Sequence, residues 1–252
     1  MTGIQLEELA ILDPTSGDMV KFANPTRKVY AIEVLTSEMS EGTSVIDGKI
    51  FDLLCSGSFT KDAQEQLSNW ASNGVSLQFS GYSKDGMILQ GIGSIKVSET
   101  DTGKVSKFSF SVPAEGGYTD EGIHSSGTSM SHNALALHKW NSLAGWDYSD
   151  VDIADQWVSI KSGEVSKKIF FPFHKTMFMW TELTGVGELF ARSIDLSGSV
   201  IEEQKIINEY GFNPHEDAVF VEVGARHIGY RFGICRPCLT IGKPKRYTSY
   251  EV

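Results

Sequence analysis

Cys235-Arg236-Pro237-Cys238 is the motif with the most chemistry in it. A C-x-x-C pair can contribute two ligands to a zinc ion, form a redox disulfide, or simply place two thiols at the ends of a β-turn. Zinc asks for about four ligands, and no second C-x-x-C exists. Cys55, His215 and His227 are the candidates to complete a set. A redox pair sits best at a helix start after a strand, inside a βαβ unit, and no such unit is visible. The turn is therefore the expected role.

The other reactive residue types fall into no catalytic pattern. The six histidines, His124, His132, His138, His174, His215 and His227, form neither H-E-x-x-H nor H-x-H. No G-x-S-x-G marks a nucleophile elbow, and no phosphate-binding G-x-x-x-x-G-K-[ST] occurs. Gly185-Val186-Gly187 lacks the third glycine of a dinucleotide fingerprint and reads as a turn. Asp147, Asp150, Asp152 and Asp155, like Thr119-Asp120-Glu121, have the composition of a calcium loop without its glycine and closing glutamate. Glu202-Glu203 are neighbours in sequence, a poor start for a glycosidase pair. The expectation is a non-enzyme with no catalytic residue, no cofactor and no metal. Trp140, Trp146, Tyr148 and Trp157 lie in an Asp/Ser-rich segment. They suit a core, an oligomer interface or a sugar platform, with core or interface expected.

Composition sets the partners. A net charge of −10 leaves no basic footprint for nucleic acid; the nearest candidate is Lys243-Pro244-Lys245-Arg246. Three cysteines are too few for a disulfide scaffold and suit a reducing cytoplasm. Glu7 and Glu8 stand where a signal peptide would be basic, and no apolar run is long enough for a membrane span.

The elements that position these residues read as mainly β. Residues 28–35 alternate as a strand, and residues 38–44 read as a polar loop. Asp47-Gly48 is expected to turn the chain between Val45-Ile46 and residues 50–54. Residues 60–73 form the clearest helix: Thr60 caps it, Ala63, Leu67, Trp70 and Ala71 make one apolar stripe, and Gly74 ends it. Residues 75–80 and 87–92 form a hairpin around Lys84-Asp85-Gly86, with Ile95 and Val97 continuing the line. Asp101-Thr102-Gly103 turns into the strictly alternating residues 105–112. Three parts are predicted: a β domain with one helix over residues 1–113, a Gly/Ser/Thr-rich linker or loop over 114–131, and a β-sandwich-like domain over 132–252. Within the last, residues 132–142 fit helix or strand. Residues 218–223 and 228–234 are expected to pair across Gly224-Ala225-Arg226-His227.

The strand pair, the helix and the hairpin ending in Lys107-Phe108-Ser109-Phe110-Ser111-Val112 resemble the tail-tube fold of tailed-phage tube, distal-tail and baseplate proteins. Asp85-Gly86-Met87-Ile88-Leu89-Gln90-Gly91, Ser98-Glu99-Thr100 and the Phe108/Phe110 strand carry most of the likeness. The resemblance implies a tube-like β sheet or barrel with a flanking helix, followed by a sandwich module of the kind that decorates such proteins. It implies a non-catalytic virion structural protein, made in the host cytoplasm. Its partners would be further copies of itself in a ring or tube, other tail proteins and, through the added module, surface glycans. A carbohydrate- or receptor-binding β-sandwich protein is the competing expectation.

Overall fold

The computed structural model describes residues 4–23, 28–40, 43–56, 60–101, 104–111, 129–131, 134–135, 146–154 and 157–244. They form strands β1 (Ile4–Leu12), β2 (Met19–Ala23), β3 (Lys28–Ser40) and β4 (Thr43–Ser56), helix α1 (Lys61–Asn73), and strands β5 (Leu77–Ser83), β6 (Ile88–Asp101), β7 (Lys104–Ser111) and β8 (Ser129–Ser131). Beyond these come β9 (Asp147–Tyr148), β10 (Val151–Ala154), β11 (Trp157–Ile160), β12 (Glu164–Phe170), β13 (Met177–Ile194), β14 (Val200–Ile206), β15 (Gly211–Phe212) and β16 (Phe220–Ile241). The fold is mainly β, as expected, with one helix among the described residues, and the chain divides into two compact units, each built on its own sheet.

The first sheet runs β2-β1-β3-β4-β7-β6-β5, and β5 also pairs with β1, so the pairings β1-β3-β4-β7-β6-β5 come nearly full circle as a barrel. β1 makes this possible by dividing one of its edges. Residues Ile4 to Leu6 pair with β3 and residues Glu8 to Leu12 with β2, while the opposite edge pairs with β5. Leu6, Leu9, Ala10, Ile11 and Leu12 are all buried, a continuous apolar run rather than an alternation. That run gave no period-2 signal, and β1 and β2 went unread in the sequence. The turn between them is tied by Asp13, whose Oδ1 accepts from Thr15 N at 2.8 Å.

α1 forms where it was predicted and for the predicted reasons. Thr60 Oγ1 accepts from Ala63 N at 3.3 Å, and Gly74 takes the left-handed cap conformation at φ 61°. Leu67 and Trp70 enter the core with Leu6, Leu9, Ile11, Phe22, Leu77, Phe79, Leu89 and Ile95. The Lys84-Asp85-Gly86 turn also stands, with Gly86 at φ 86°.

Two expectations in this unit are corrected. Residues 38–40 and 43–44 are not a loop but the paired ends of β3 and β4, with Ser40 opposite Thr43. Asp47-Gly48 does not turn the chain. The register passes from Thr36 opposite Gly48 to Ser37 opposite Ile46, so Asp47 is the extra residue of a bulge in one long strand. Gly and Asp mark bulges as readily as turns. Of the predicted linker, residues 129–131 are β8, paired with β6. Residues 114–128 lie outside the described residues, as do Thr102-Gly103 and, except for Ala134 and Leu135 in a turn, residues 132–142.

The second sheet is organised by β13 and β16, which pair from Met177 opposite Ile241 to Ile194 opposite Phe220. The far edge of β16 carries β12 over residues 220–226 and β11 over residues 232–235. The far edge of β13 carries β15 and β14. Here the predicted pairing of residues 218–223 with 228–234 is overturned, because residues 220–223 and 228–234 belong to one strand, β16. Gly224 is not a turn residue: a Cβ there would meet the Val165 carbonyl oxygen, and Phe190 Cζ at 2.6 Å. The glycine is required by the neighbouring strands, not by a reversal of the chain.

Candidate functional site: an assembly ribbon and a charged sheet face

β3 and β4 outrun the barrel. β1 pairs with β3 only at Val29 to Ala31, and β7 pairs with β4 only at Ile50 to Leu54. Among the described residues, the remaining stretches (residues 32–40 and 43–49) pair only with each other. Among the described residues neither outer edge of this ribbon pairs with another strand, the arrangement that accepts one. A lone two-stranded ribbon is marginal in water.

A second feature, which sequence reasoning missed, occupies one face of the second sheet. Phe190 lies opposite Gly224, and its ring is covered by two guanidinium groups, Arg192 at 4.4 Å and Arg226 at 4.6 Å from the ring centroid. Arg192 is bidentate to Glu164, with Nη1 at 2.7 Å and Nη2 at 2.9 Å. Its Nε donates to Glu203 at 2.7 Å, and Nη1 reaches Glu222 at 3.3 Å. Arg226 Nη2 lies 2.8 Å from Glu203, and Lys205 Nζ lies 2.9 Å from Glu188. These contacts hold the arginines fully charged, Arg192 chiefly through Glu164 and Arg226 chiefly through Glu203. The Glu203 carboxyl is in turn held below its usual range, first by Arg226 and then by Arg192. A group so interlocked ties β12, β13, β14 and β16 together. Glu202-Glu203 are thereby accounted for as strand residues.

The residues singled out in the sequence do not converge. Cys235 and Cys238 are both buried. They flank a bulge inside β16 and not a β-turn, because β16 continues past them to Ile241 against β13. Gly185-Val186-Gly187 is likewise no turn but an irregularity within β13, where the register shifts between Gly185 and Gly187. His174 Nδ1 contacts the Pro214 carbonyl at 2.9 Å, and His215 Nδ1 accepts from Asp217 N at 3.2 Å. His227 lies in β16; His124, His132 and His138 lie outside the described residues. Asp152 pairs with Lys161 at 2.8 Å, and Asp150 accepts from Ser162 at 3.1 Å. Asp155 and Trp140 are outside the described residues. Trp146 is buried and Trp157 half-buried, while Tyr148 is exposed, so Trp146 is a core residue rather than a platform. Among the described residues no three His, Cys, Asp or Glu side chains gather as a metal site. No helix among them is long and apolar enough to cross a membrane.

No protein-family model and no curated protein matches the chain. Among solved structures, it aligns with a chain of the phage P2 baseplate in its activated conformation with Ca. The alignment covers 99% of this chain and 100% of that one, at 12% identity and a TM-score of 0.25. A chain of the same baseplate with Sr aligns over 96% of this chain and 99% of that one, at 10% identity and a TM-score of 0.24. Similarity at these TM-scores carries no weight for fold or function.

Proposed function

We propose that this chain is a non-catalytic structural subunit of a phage tail that self-assembles into a ring or tube, at the tail's distal end or along it. The observation that carries the reading is the β3–β4 ribbon. A barrel with one helix beside it has sent out two paired strands whose edges, among the described residues, no other strand covers. In a ring of copies, each ribbon would hydrogen-bond to the neighbouring barrel, converting an aggregation hazard into a specific joint. The resemblance of residues 81–112 to the tail-tube fold supports the same reading. On it, residues 1–113 are the ring-forming domain, residues 114–131 the linker, and residues 132–252 a sandwich-like module carried on the ring, with other tail proteins as partners in the virion.

The test is a variant in which residues 37–47 are replaced by a two-residue Asn-Gly turn, flanked by Thr36 and Gly48, which already stand opposite each other. The shortened hairpin keeps every pairing of β3 with β1 and of β4 with β7. The expected outcome is a folded protein, by circular dichroism, that sediments as a monomer under conditions where the parent chain forms a discrete oligomer. Oligomers unchanged by the shortening would overturn the role given to the ribbon.

A further inference from the structure

β14 is an edge of the second sheet. It pairs with β13, from Ile206 opposite Leu189 to Glu202 opposite Ser193, and among the described residues with no other strand. Ile201 is the extra residue of a bulge, because the next pair is Val200 opposite Ile194. The regular edge is therefore residues 202–206. Apolar side chains stand in solvent at both of its ends: Ile201 is 37% exposed and Ile207 63%. Charges commonly blunt such an edge against pairing. Here they are of both signs, Glu202 and Glu203 on one side of Gln204 and Lys205 on the other.

That order of charges selects what the edge can accept. When two copies of one strand join antiparallel, a twofold axis normal to the sheet relates them, and one residue faces its own copy. Like charges directly opposite each other destabilise such a pair, and opposite charges stabilise it. An axis at Glu202 or Glu203 would set a carboxylate against itself, and an axis at Lys205 an ammonium against itself. An axis at Ile206 would run most of the ladder past the end of β14. An axis at Gln204 sets one neutral amide against another. On both sides of it, Glu203 then faces Lys205 of the second copy. The same register brings Ile201 to the exposed Ile207 of the second copy. Both charges are within reach, the Lys205 side chain 65% and the Glu203 side chain 36% exposed. Both are also held in place, Lys205 by Glu188 at 2.9 Å and Glu203 by Arg192 at 2.7 Å and Arg226 at 2.8 Å.

We propose that the β14 edge is a docking surface for a second copy of this chain, which adds its own β14 antiparallel about a twofold axis at Gln204, so that the two sheets continue into one. The contact belongs to the second sheet and does not rest on the β3–β4 ribbon. It closes on itself at two copies and propagates no filament. The joint is short, residues 202–206 on each side, so an isolated pair forms only at high protein concentration. Two rings that met through several such edges at once would hold far more firmly.

The experiment is cross-linking of the full chain with a short bismaleimide across a concentration series, read as covalent dimer on a denaturing gel. Two single variants are compared, Gln204→Cys and Val200→Cys, and the parent chain gives the background from its own cysteines. In the proposed register the two copies of position 204 are directly opposite, with Cβ atoms about 4.5–5.5 Å apart. The two copies of position 200 stand eight residues out of step, about 26 Å apart. Because pairing raises the effective concentration of one thiol at the other, Gln204→Cys should yield at least about tenfold more dimer than Val200→Cys. Adding Lys205→Glu to Gln204→Cys sets carboxylates opposite each other twice and should bring the yield down to the Val200→Cys level. Adding Lys205→Arg should keep it. Equal yields at the two positions, or a Gln204→Cys dimer indifferent to Lys205→Glu, would overturn the proposal. Neither cysteine position lies in the ribbon, so a failure of the ribbon reading leaves the expected difference between them intact.

Discussion

The ring of Phe190 fills the place of the side chain that Gly224 lacks on the neighbouring strand: a Cβ at Gly224 would stand 2.6 Å from Phe190 Cζ. The flat ring then becomes the floor on which Arg192 and Arg226 rest, so a glycine in one strand, an aromatic in the next and four carboxylates around them form one unit. Gly224→Ala would force the ring and the Val165 carbonyl away together. Overpacking of this kind costs about 1–3 kcal/mol, and backbone is among the atoms that must move, so the upper half of that range is expected. Urea unfolding of the variant measures it, and a loss near zero would mean that the strands shift freely.

Arg192 holds three of those carboxylates. Its side chain is 17% exposed and that of Glu164 37%, so the cost of Arg192→Ala falls below the ~3–5 kcal/mol of breaking a fully buried pair, at about 2–3 kcal/mol. Arg192→Lys keeps the charge but loses the two-pronged fork to Glu164, and it should recover less than half of the loss. Chemical denaturation of both variants checks the order.

Acid should loosen this face. Glu203 is depressed below its ordinary value of 4.5 by Arg226 and then Arg192. A depressed carboxyl contributes stability that is fully present above its unfolded value. That stability is lost as the pH falls from there through the folded value. Thermal midpoints should therefore drop steadily below about pH 4.5. Asp195, lowered chiefly by the Ser197 hydroxyl, adds to the slope of this unit below its ordinary value of 3.8, and Asp13, lowered chiefly by the Thr15 backbone N–H, does the same for the barrel unit. Glu203→Gln should start less stable at neutral pH and show a shallower acid slope. An acid slope as steep as the parent's would remove Glu203 from the account.

In the barrel unit, Trp70 is buried to 1% exposure against the β1 and β5 core. Trp70→Ala is expected to cost about 3–5 kcal/mol, while Thr60→Ala, which removes only the cap, should cost about 1 kcal/mol. Two compact units need not unfold together. Trp70→Ala should therefore lower the transition of one unit and leave the other in place, which calorimetry resolves.

What could be read from the sequence was local. The helix was legible because its cap, stripe and stop all lie within fifteen residues, and the hairpin around Gly86 because a positive-φ glycine stood where alternation broke. Gly224 and Asp47-Gly48 misled because a glycine wanted by a neighbouring strand, or by a bulge, looks the same in one dimension as a glycine wanted by a turn. The charged face was out of reach. Glu164, Arg192, Glu203, Glu222 and Arg226 meet only through the registers of four strands. The one local hint was Glu222, Gly224 and Arg226 sharing an alternation. Burial of Trp146, by contrast, agrees with the core or interface role expected of the tryptophan cluster.

The most direct test of the assembly reading is the mass of the purified protein in solution, by light scattering across a concentration series, with negative-stain images of the same samples. The account predicts a discrete oligomer or stacked tubes whose images show rings. A mass that stays monomeric up to the solubility limit, with no rings on the grid, would contradict self-assembly through the β3–β4 ribbon.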